Sequence, residues 1–185
     1  MDTWELRYIL TRSSYLSSWN PVVCAKDELP HRKPKDVRAY VINTDESHLP
    51  GTHWIAVYFP EDKNNVVEYF DSYGLPPLEQ DMVDFMRRNA VSTRFNNIRL
   101  QGMDSMVCGQ YCVHYLHQRS LGYSLEHLVS YFGQNYSRND RQVEHWFCDR
   151  YGYLFSLAQK RSVHQDKDSW HRLGQRCQPC KYVRL

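Results

Sequence analysis

His53, Asp71, Gln101 and Cys108 stand in that order along a chain of 185 residues. Together these four side-chain types can cleave an amide. A cysteine attacks a carbonyl only as the thiolate. An imidazole can take the thiol proton and later pass it to the leaving amine. A carboxylate behind the imidazole fixes its tautomer and stabilises the imidazolium. A glutamine amide offers an N–H to the negative charge that develops on the carbonyl oxygen. Each residue also has a plainer reading. A lone cysteine is more often a small buried hydrophobe, and a His–Asp pair is often a structural hydrogen bond.

The chemistry requires elements that bring the four together. His53 to Phe59 (HWIAVYF) reads as a strand, apolar enough to be central and covered on both faces. Asn65 to Asp71 (NVVEYFD) reads as its hairpin partner across a polar turn at 60–64. With Asp62 at the centre of a five-residue loop, Phe59 faces Asn65 and His53 faces Asp71. Opposed residues have Cβ atoms about 4.5–5.5 Å apart. A slip of one residue would separate them onto opposite faces. Trp54 reads as core or as a wall of the substrate groove. From Cys108 to about Arg119 the sequence predicts a helix, with Cys108, Cys112, Tyr115 and Leu116 on one stripe. A thiolate at the start of that helix gains from its free N–H groups and dipole. The N–H of Cys108 and the amide of Gln101 are both available to an oxyanion. Gly109 leaves room for a substrate, and Ser105 joins Trp54 and Gly109 as a groove candidate. Cys112, Cys24 and Cys148 read as core or bystander residues.

Around these elements the expectation is a short helix capped by Asp2 or Thr3 and running to Leu10, with Trp4, Leu6 and Tyr8 buried. Residues 11–36, broken by Pro21, Pro30 and Pro34, read as irregular. Val37 to Asn43 reads as a strand, Leu78 to Asn89 as a helix with Leu78, Met82, Phe85 and Met86 on its apolar side, and Ile98 to Leu100 as a short strand. Helices follow at 124–132 and 139–151, the last opened by Asn139 with Gln142 three residues on. Beyond Ser156 periodicity fails. The expected class is α+β, a small central sheet with antiparallel pairing flanked by helices. The expected division is a domain at 1–155 and a basic tail or extension at 156–185.

Composition sets outer bounds. The hydrophobic fraction is 42%, with 14 tyrosines, 7 phenylalanines and 5 tryptophans, which fits a globular domain and not a disordered one. No apolar run approaches the roughly 20 residues of a membrane helix, and the first residues do not read as a secretory signal. Six cysteines at positions 24, 108, 112, 148, 177 and 180 are too sparse for a disulfide scaffold. The expectation is an intracellular monomer that is not secreted and does not meet a membrane. Seven basic residues against two acids give residues 160–185 a charge of +5, leaving −3 for the rest of a chain of net +2. A basic tail can attract DNA. Cys177 and Cys180, with His164 and His171, could ligate zinc, but the spacing matches no finger pattern, so no metal is assigned.

Gly51-Thr52-His53-Trp54, then Tyr69-Phe70-Asp71-Ser72-Tyr73-Gly74, then Gln101 seven residues ahead of Cys108-Gly109 resemble the adenain (adenovirus protease type) family of cysteine proteases. The look is closest to the adenain-like proteases of Polinton or Maverick elements and related small DNA viruses. The order His, acid, Gln, Cys is shared with the SUMO and ubiquitin-like proteases of the same clan. The resemblance covers about residues 5–150. It implies a papain-like fold with the catalytic order permuted, and cleavage of viral or virus-like precursor proteins after small residues such as Gly-Gly or Gly-X. It would place a viral member in the host nucleus or the virion. Adenoviral members commonly carry Glu at the acid position, where this chain has Asp71. They are also activated by DNA and by a disulfide-tethered peptide. No cysteine lies between Cys24 and Cys108, where that tether would be expected. The residues themselves require no cofactor, and DNA or an activating peptide enters by resemblance alone. Two alternatives stay open: a protease acting on ubiquitin-like modifiers, and an inactive protease fold serving as a DNA or protein binding module.

Overall fold

The computed structural model describes residues 1–62 and 64–165, the last four of them as backbone only. Short runs rich in β-branched and aromatic residues form a five-stranded sheet. In chain order these are β1 (Val22–Ala25), β2 (Ala39–Asn43), β3 (Trp54–Tyr58), β4 (Val66–Phe70) and β5 (Ser92–Phe95). Spatial order follows chain order, with β3 in the middle. The inner pairs β2–β3 and β3–β4 are antiparallel, and the outer pairs β1–β2 and β4–β5 are parallel.

Every residue of β3 is buried, as expected of a strand covered on both sides. Alternation divides its side chains between two cores. Trp54, Ala56 and Tyr58 join Phe70 and the helices α1 (Thr3–Arg12), α3 (Cys108–Ser120) and α5 (Tyr136–Gln165). Ile55 and Val57 join Val67, Tyr69 and the stripe Met82, Phe85, Met86 of α2 (Gln80–Asn89). A short helix, α4 (Leu125–Ser130), is capped by Ser124. The result is the α+β arrangement anticipated from the sequence.

α1 is opened by Asp2. Its Oδ1 accepts from Glu5 N at 2.7 Å, and the Glu5 carboxylate accepts from Asp2 N at 2.9 Å. This reciprocal capping box satisfies two of the donors a helix start leaves open.

The structure corrects several expectations. Residues 11–36 hold β1 and two single turns of 3-10 helix, Ser17–Trp19 and Lys26–Glu28. Four residues are too few for periodicity to register β1. β5 occupies Ser92–Phe95, and Ile98 is 54% exposed outside any strand. All four β5 residues are exposed, so this edge strand carries no apolar signal. Leu78 precedes α2 and is 73% exposed. α1 runs on to Arg12, and Trp4 is only half-buried. α5 starts at Tyr136, where Asn135 Oδ1 accepts from Arg138 N at 3.0 Å. Asn139 instead points inward, its amide donating to the Leu100 and Gly133 carbonyls. The same helix continues past Ser156 to Gln165 and buries Phe155 and Ala158. The basic residues beyond 165, and the cluster of His164, His171, Cys177 and Cys180, lie outside the described side chains. Among the described residues no helix is long and apolar enough to cross a membrane.

Candidate active site

His53 lies one residue before β3 and Asp71 one residue after β4, at the same end of the sheet. The β3–β4 register is Ala56↔Phe70, Val57↔Tyr69, Tyr58↔Glu68. It is shifted by two residues from the sequence expectation of His53 directly opposite Asp71. The turn therefore falls at 61–65, and Asn65 adopts a left-handed conformation with φ 50°. A shift of two preserves which face a residue takes, and diagonal neighbours remain within reach of long side chains. The pair still forms, with His53 Nε2 2.8 Å from Asp71 Oδ1. Both residues sit just past the regular strands. They are therefore not bound to the alternation that would turn them toward α2.

Asp71 is 3% exposed in its side chain and is held from several sides. Its Oδ1 also accepts from the backbone N–H of Tyr73 at 2.8 Å. Asn96, itself buried, brackets the Asp71 backbone. Asn96 Oδ1 accepts from Asp71 N at 2.9 Å, and Asn96 Nδ2 donates to Asp71 O at 2.6 Å and to Ile98 O at 3.3 Å. The Tyr73 ring lies 4.7 Å from the His53 ring at 32°. Neither Tyr73 nor Asn96 was singled out from the sequence for a role here. Asn96 follows the unrecognised strand β5, so nothing indicated that it would return to Asp71.

Two glycines make the turns around this pair possible. Gly51 has φ +83°, and a Cβ there would meet Asn43 Nδ2 at 2.4 Å. Gly74 has φ +70°, and a Cβ there would meet the Ile98 carbonyl carbon at 2.5 Å. Only glycine takes these positive φ values without strain.

Cys108 opens α3, as the sequence predicts, and is 9% exposed. Its first-turn N–H groups precede any intrahelical carbonyl partner. Burial pushes the Cys108 thiol up, but the hydrogen bond and charge of His53, with the Trp54 backbone N–H, outweigh it and bring the pKa below the usual thiol range. Burial likewise disfavours the His53 imidazolium. Hydrogen bonds to Asp71 and Cys108 and their charges win, and the pKa is pushed up to about 9. The two shifts run in the same sense, each favouring a thiolate beside an imidazolium. Nε2 is engaged with Asp71, which leaves Nδ1 for the sulfur.

Gln101 is fully buried. Its Oε1 accepts from Ser72 Oγ at 2.6 Å, and its Nε2 donates to the Ser105 carbonyl at 2.8 Å. These bonds orient the amide and leave one Nε2 hydrogen for a further acceptor. Ser105 thus meets Gln101 through its backbone. The Gly102 N–H donates to the Asp140 carboxylate of α5, with Oδ2 at 3.1 Å, and Tyr111 OH donates to Asp140 Oδ1 at 3.1 Å. The segment between Gln101 and Cys108 is tied down at its start by these bonds. Met103 and Met106 are exposed on its surface.

Trp54 is 6% exposed, and its indole N–H donates to the Met1 carbonyl at 3.1 Å. Gly109 lies against Trp54 and Met1. Cys24 and Cys112 are buried free thiols, and burial raises both, Cys24 to about 12. Among the described residues no cluster of His, Cys, Asp and Glu could hold a metal ion. Two surface cavities, about 230 Å³ beside α2 and β5 and about 340 Å³ between the end of α1 and α5, lie away from Cys108.

No family model matches the chain, and no curated protein matches it. Among solved structures it is similar to the ASFV pS273R protease, with 22% identity, a TM-score of 0.46, and coverage of 77% of this chain and 56% of that one. It thus spans about half the length of that protease. It is also similar to the central domain of the Lpg1148 protein from Legionella pneumophila, with 14% identity, a TM-score of 0.44, and coverage of 89% of this chain and 97% of that one. Likenesses this remote assign neither a role nor a substrate. The chemistry must come from the residues themselves, and these place a polarised His–Asp pair beside a cysteine of lowered pKa.

Proposed function

We propose that the protein is a cysteine endopeptidase, with Cys108 as nucleophile, His53 as general base and then acid, Asp71 orienting His53, and Gln101 beside the oxyanion. The observation that carries this reading is the His53–Asp71 pair, 2.8 Å apart, set beside Cys108 at the start of α3, with the charge of His53 lowering the Cys108 pKa. The Cys108 thiolate attacks the scissile carbonyl and forms a tetrahedral oxyanion. The remaining Nε2 hydrogen of Gln101 and the N–H groups at the start of α3 support that charge. His53 gives its proton to the leaving amine, which departs and leaves a thioester. His53 then takes a proton from water, and the resulting hydroxide equivalent adds to the thioester, releases the acid and expels Cys108 as the thiolate beside the protonated His53.

The resemblance in the sequence favours precursor proteins of a virus or virus-like element as substrates, cut after small residues such as Gly-Gly or Gly-X. Gly109, flanked by Trp54, suits a narrow approach of that kind. Action on ubiquitin-like modifiers is the second reading, supported by Asp rather than Glu at position 71. The test is to incubate the protein with a peptide library and with ubiquitin-like fusions. Cys108→Ala should lower cleavage by a factor of about 10⁴ or more with the fold retained. Cleavage at parental rate by this variant removes the assignment.

A further inference from the structure

Two arms of the candidate site meet at one dipeptide. Asp71 pairs with His53, and the next residue, Ser72, touches Gln101. Ser72 is 1% exposed and Gln101 is fully buried. The Ser72 carbonyl accepts from Leu100 N at 2.8 Å and from Gln101 N at 3.0 Å. Its hydroxyl lies 2.6 Å from Gln101 Oε1. The Asp71 backbone is held separately, through both its N–H and its carbonyl, by Asn96. The Ser72 hydroxyl therefore serves Gln101 and not the acid.

A glutamine amide has two unlike ends, and only the N–H end can support an oxyanion. Chemistry fixes which end is which here. The Ser105 backbone carbonyl can only accept, so the atom 2.8 Å from it is Nε2. The other end is then Oε1, and the Ser72 hydroxyl must donate to it. A fully buried Oε1 without that donor would be left unsatisfied, at a cost that favours rotation of the amide toward another partner. Such a rotation displaces the second Nε2 hydrogen, the one available to an oxyanion.

We propose that Ser72 is a positioning residue for the oxyanion: its hydroxyl holds Gln101 Oε1, so that the uncommitted Nε2 hydrogen is presented to the carbonyl under attack by Cys108. The role rests on the cysteine-protease reading. Residues 71 and 72 then serve both halves of the reaction, one carboxylate behind the base and one hydroxyl behind the oxyanion donor. Ser72 itself does not touch the substrate.

The test uses the full chain and N-acetylglycyl-glycinal, a peptide aldehyde. The Cys108 thiolate adds to its carbonyl carbon, the π electrons move to oxygen, and no group leaves, so the adduct needs no hydrolysis. Affinity is read as the aldehyde concentration that halves the rate at which iodoacetamide alkylates Cys108. Ser72→Ala should raise that concentration about tenfold, part of the roughly 10²–10³-fold that loss of a whole oxyanion donor costs. Alkylation without aldehyde is a displacement at saturated carbon and forms no oxyanion. It should keep its parental rate and pH profile, which a general loosening of the site would change. In a Gln101→Ala background, Ser72→Ala should alter the affinity by less than about twofold, because the two side chains act as one unit. Unchanged affinity for Ser72→Ala overturns the role. So does an equal loss in the Gln101→Ala background, a matching change in plain alkylation, or a parent that the aldehyde does not protect. Peptide cleavage is scored separately. The expected Ser72 pattern with no Cys108-dependent cleavage keeps the placement of Gln101 by Ser72 and removes the protease reading. Cys108-dependent cleavage with unchanged Ser72→Ala affinity does the reverse.

Discussion

Cys108 and Cys112 lie one turn apart on the same buried stripe of α3, and burial pushes both thiols up. Their pKa values nonetheless move in opposite directions. Cys112, 1% exposed, stays well above the usual thiol range and donates to the Trp54 carbonyl at 3.4 Å. Cys108 falls below that range because it meets His53 and the Trp54 backbone N–H. A single strand residue thus presents an acceptor to one thiol and a donor to the other. A cysteine's reactivity here follows from its position along β3, and one helical turn is enough to reverse it.

The sharpest way to break this contrast is competitive alkylation. At pH 7 iodoacetamide should modify Cys108 about 10³-fold faster than Cys112, and His53→Ala should remove most of that advantage. The His53 pKa lies above its ordinary value. Its positive charge, and the stability it adds, is full below about pH 6.5 and is lost as pH rises through about 9. Cleavage should therefore rise as Cys108 ionises, hold a plateau, and fall near pH 9. A profile that is flat through pH 9 would contradict the ion pair.

Gln101→Ala isolates the oxyanion contribution. It should lower kcat by about 10²-fold with KM nearly unchanged. A change confined to KM would make Gln101 a packing residue.

The smallest effect belongs to Cys112→Ala. Cleavage should stay within about twofold, and stability should fall by about 1 kcal/mol, read as a small drop in melting temperature. A large loss of cleavage with the fold intact would mean that the second turn also belongs to the chemistry, and the contrast would dissolve.

Much of this arrangement was legible in the residues. The burial of β3 and the stripe of α3 follow from hydropathy and period, whereas the pairing of His53 with Asp71 was read from an assumed hairpin register. The hairpin register did not follow. Loop length alone cannot distinguish 60–64 from 61–65, and the left-handed turn at Asn65 decides it. The error was harmless because it was even. β5 was illegible because STRF exposes every side chain and is held by backbone pairing to β4. Its loss hid Asn96, whose part depends on a return of the chain to Asp71 across 25 residues. The start of α5 was displaced because Asn139 has the look of a cap but spends its amide on the Leu100 and Gly133 carbonyls.

One contact far from the sulfur bears on its placement. Glu68, 2% exposed on β4, accepts from Tyr115 OH at 2.7 Å and from Arg119 Nε at 2.7 Å. Both partners lie on α3, so the helix is bolted to the sheet toward its far end. Arg119 is eleven residues on from Cys108, a lever arm of about 16 Å at the rise of an α-helix. A tilt of about 4° about that bolt swings the Cys108 sulfur by about 1 Å, a displacement that would cost the proposed reaction about a hundredfold in rate. Glu68 thus acts as a fulcrum, converting the stiffness of the sheet into the aim of a thiolate at the opposite end of the rod.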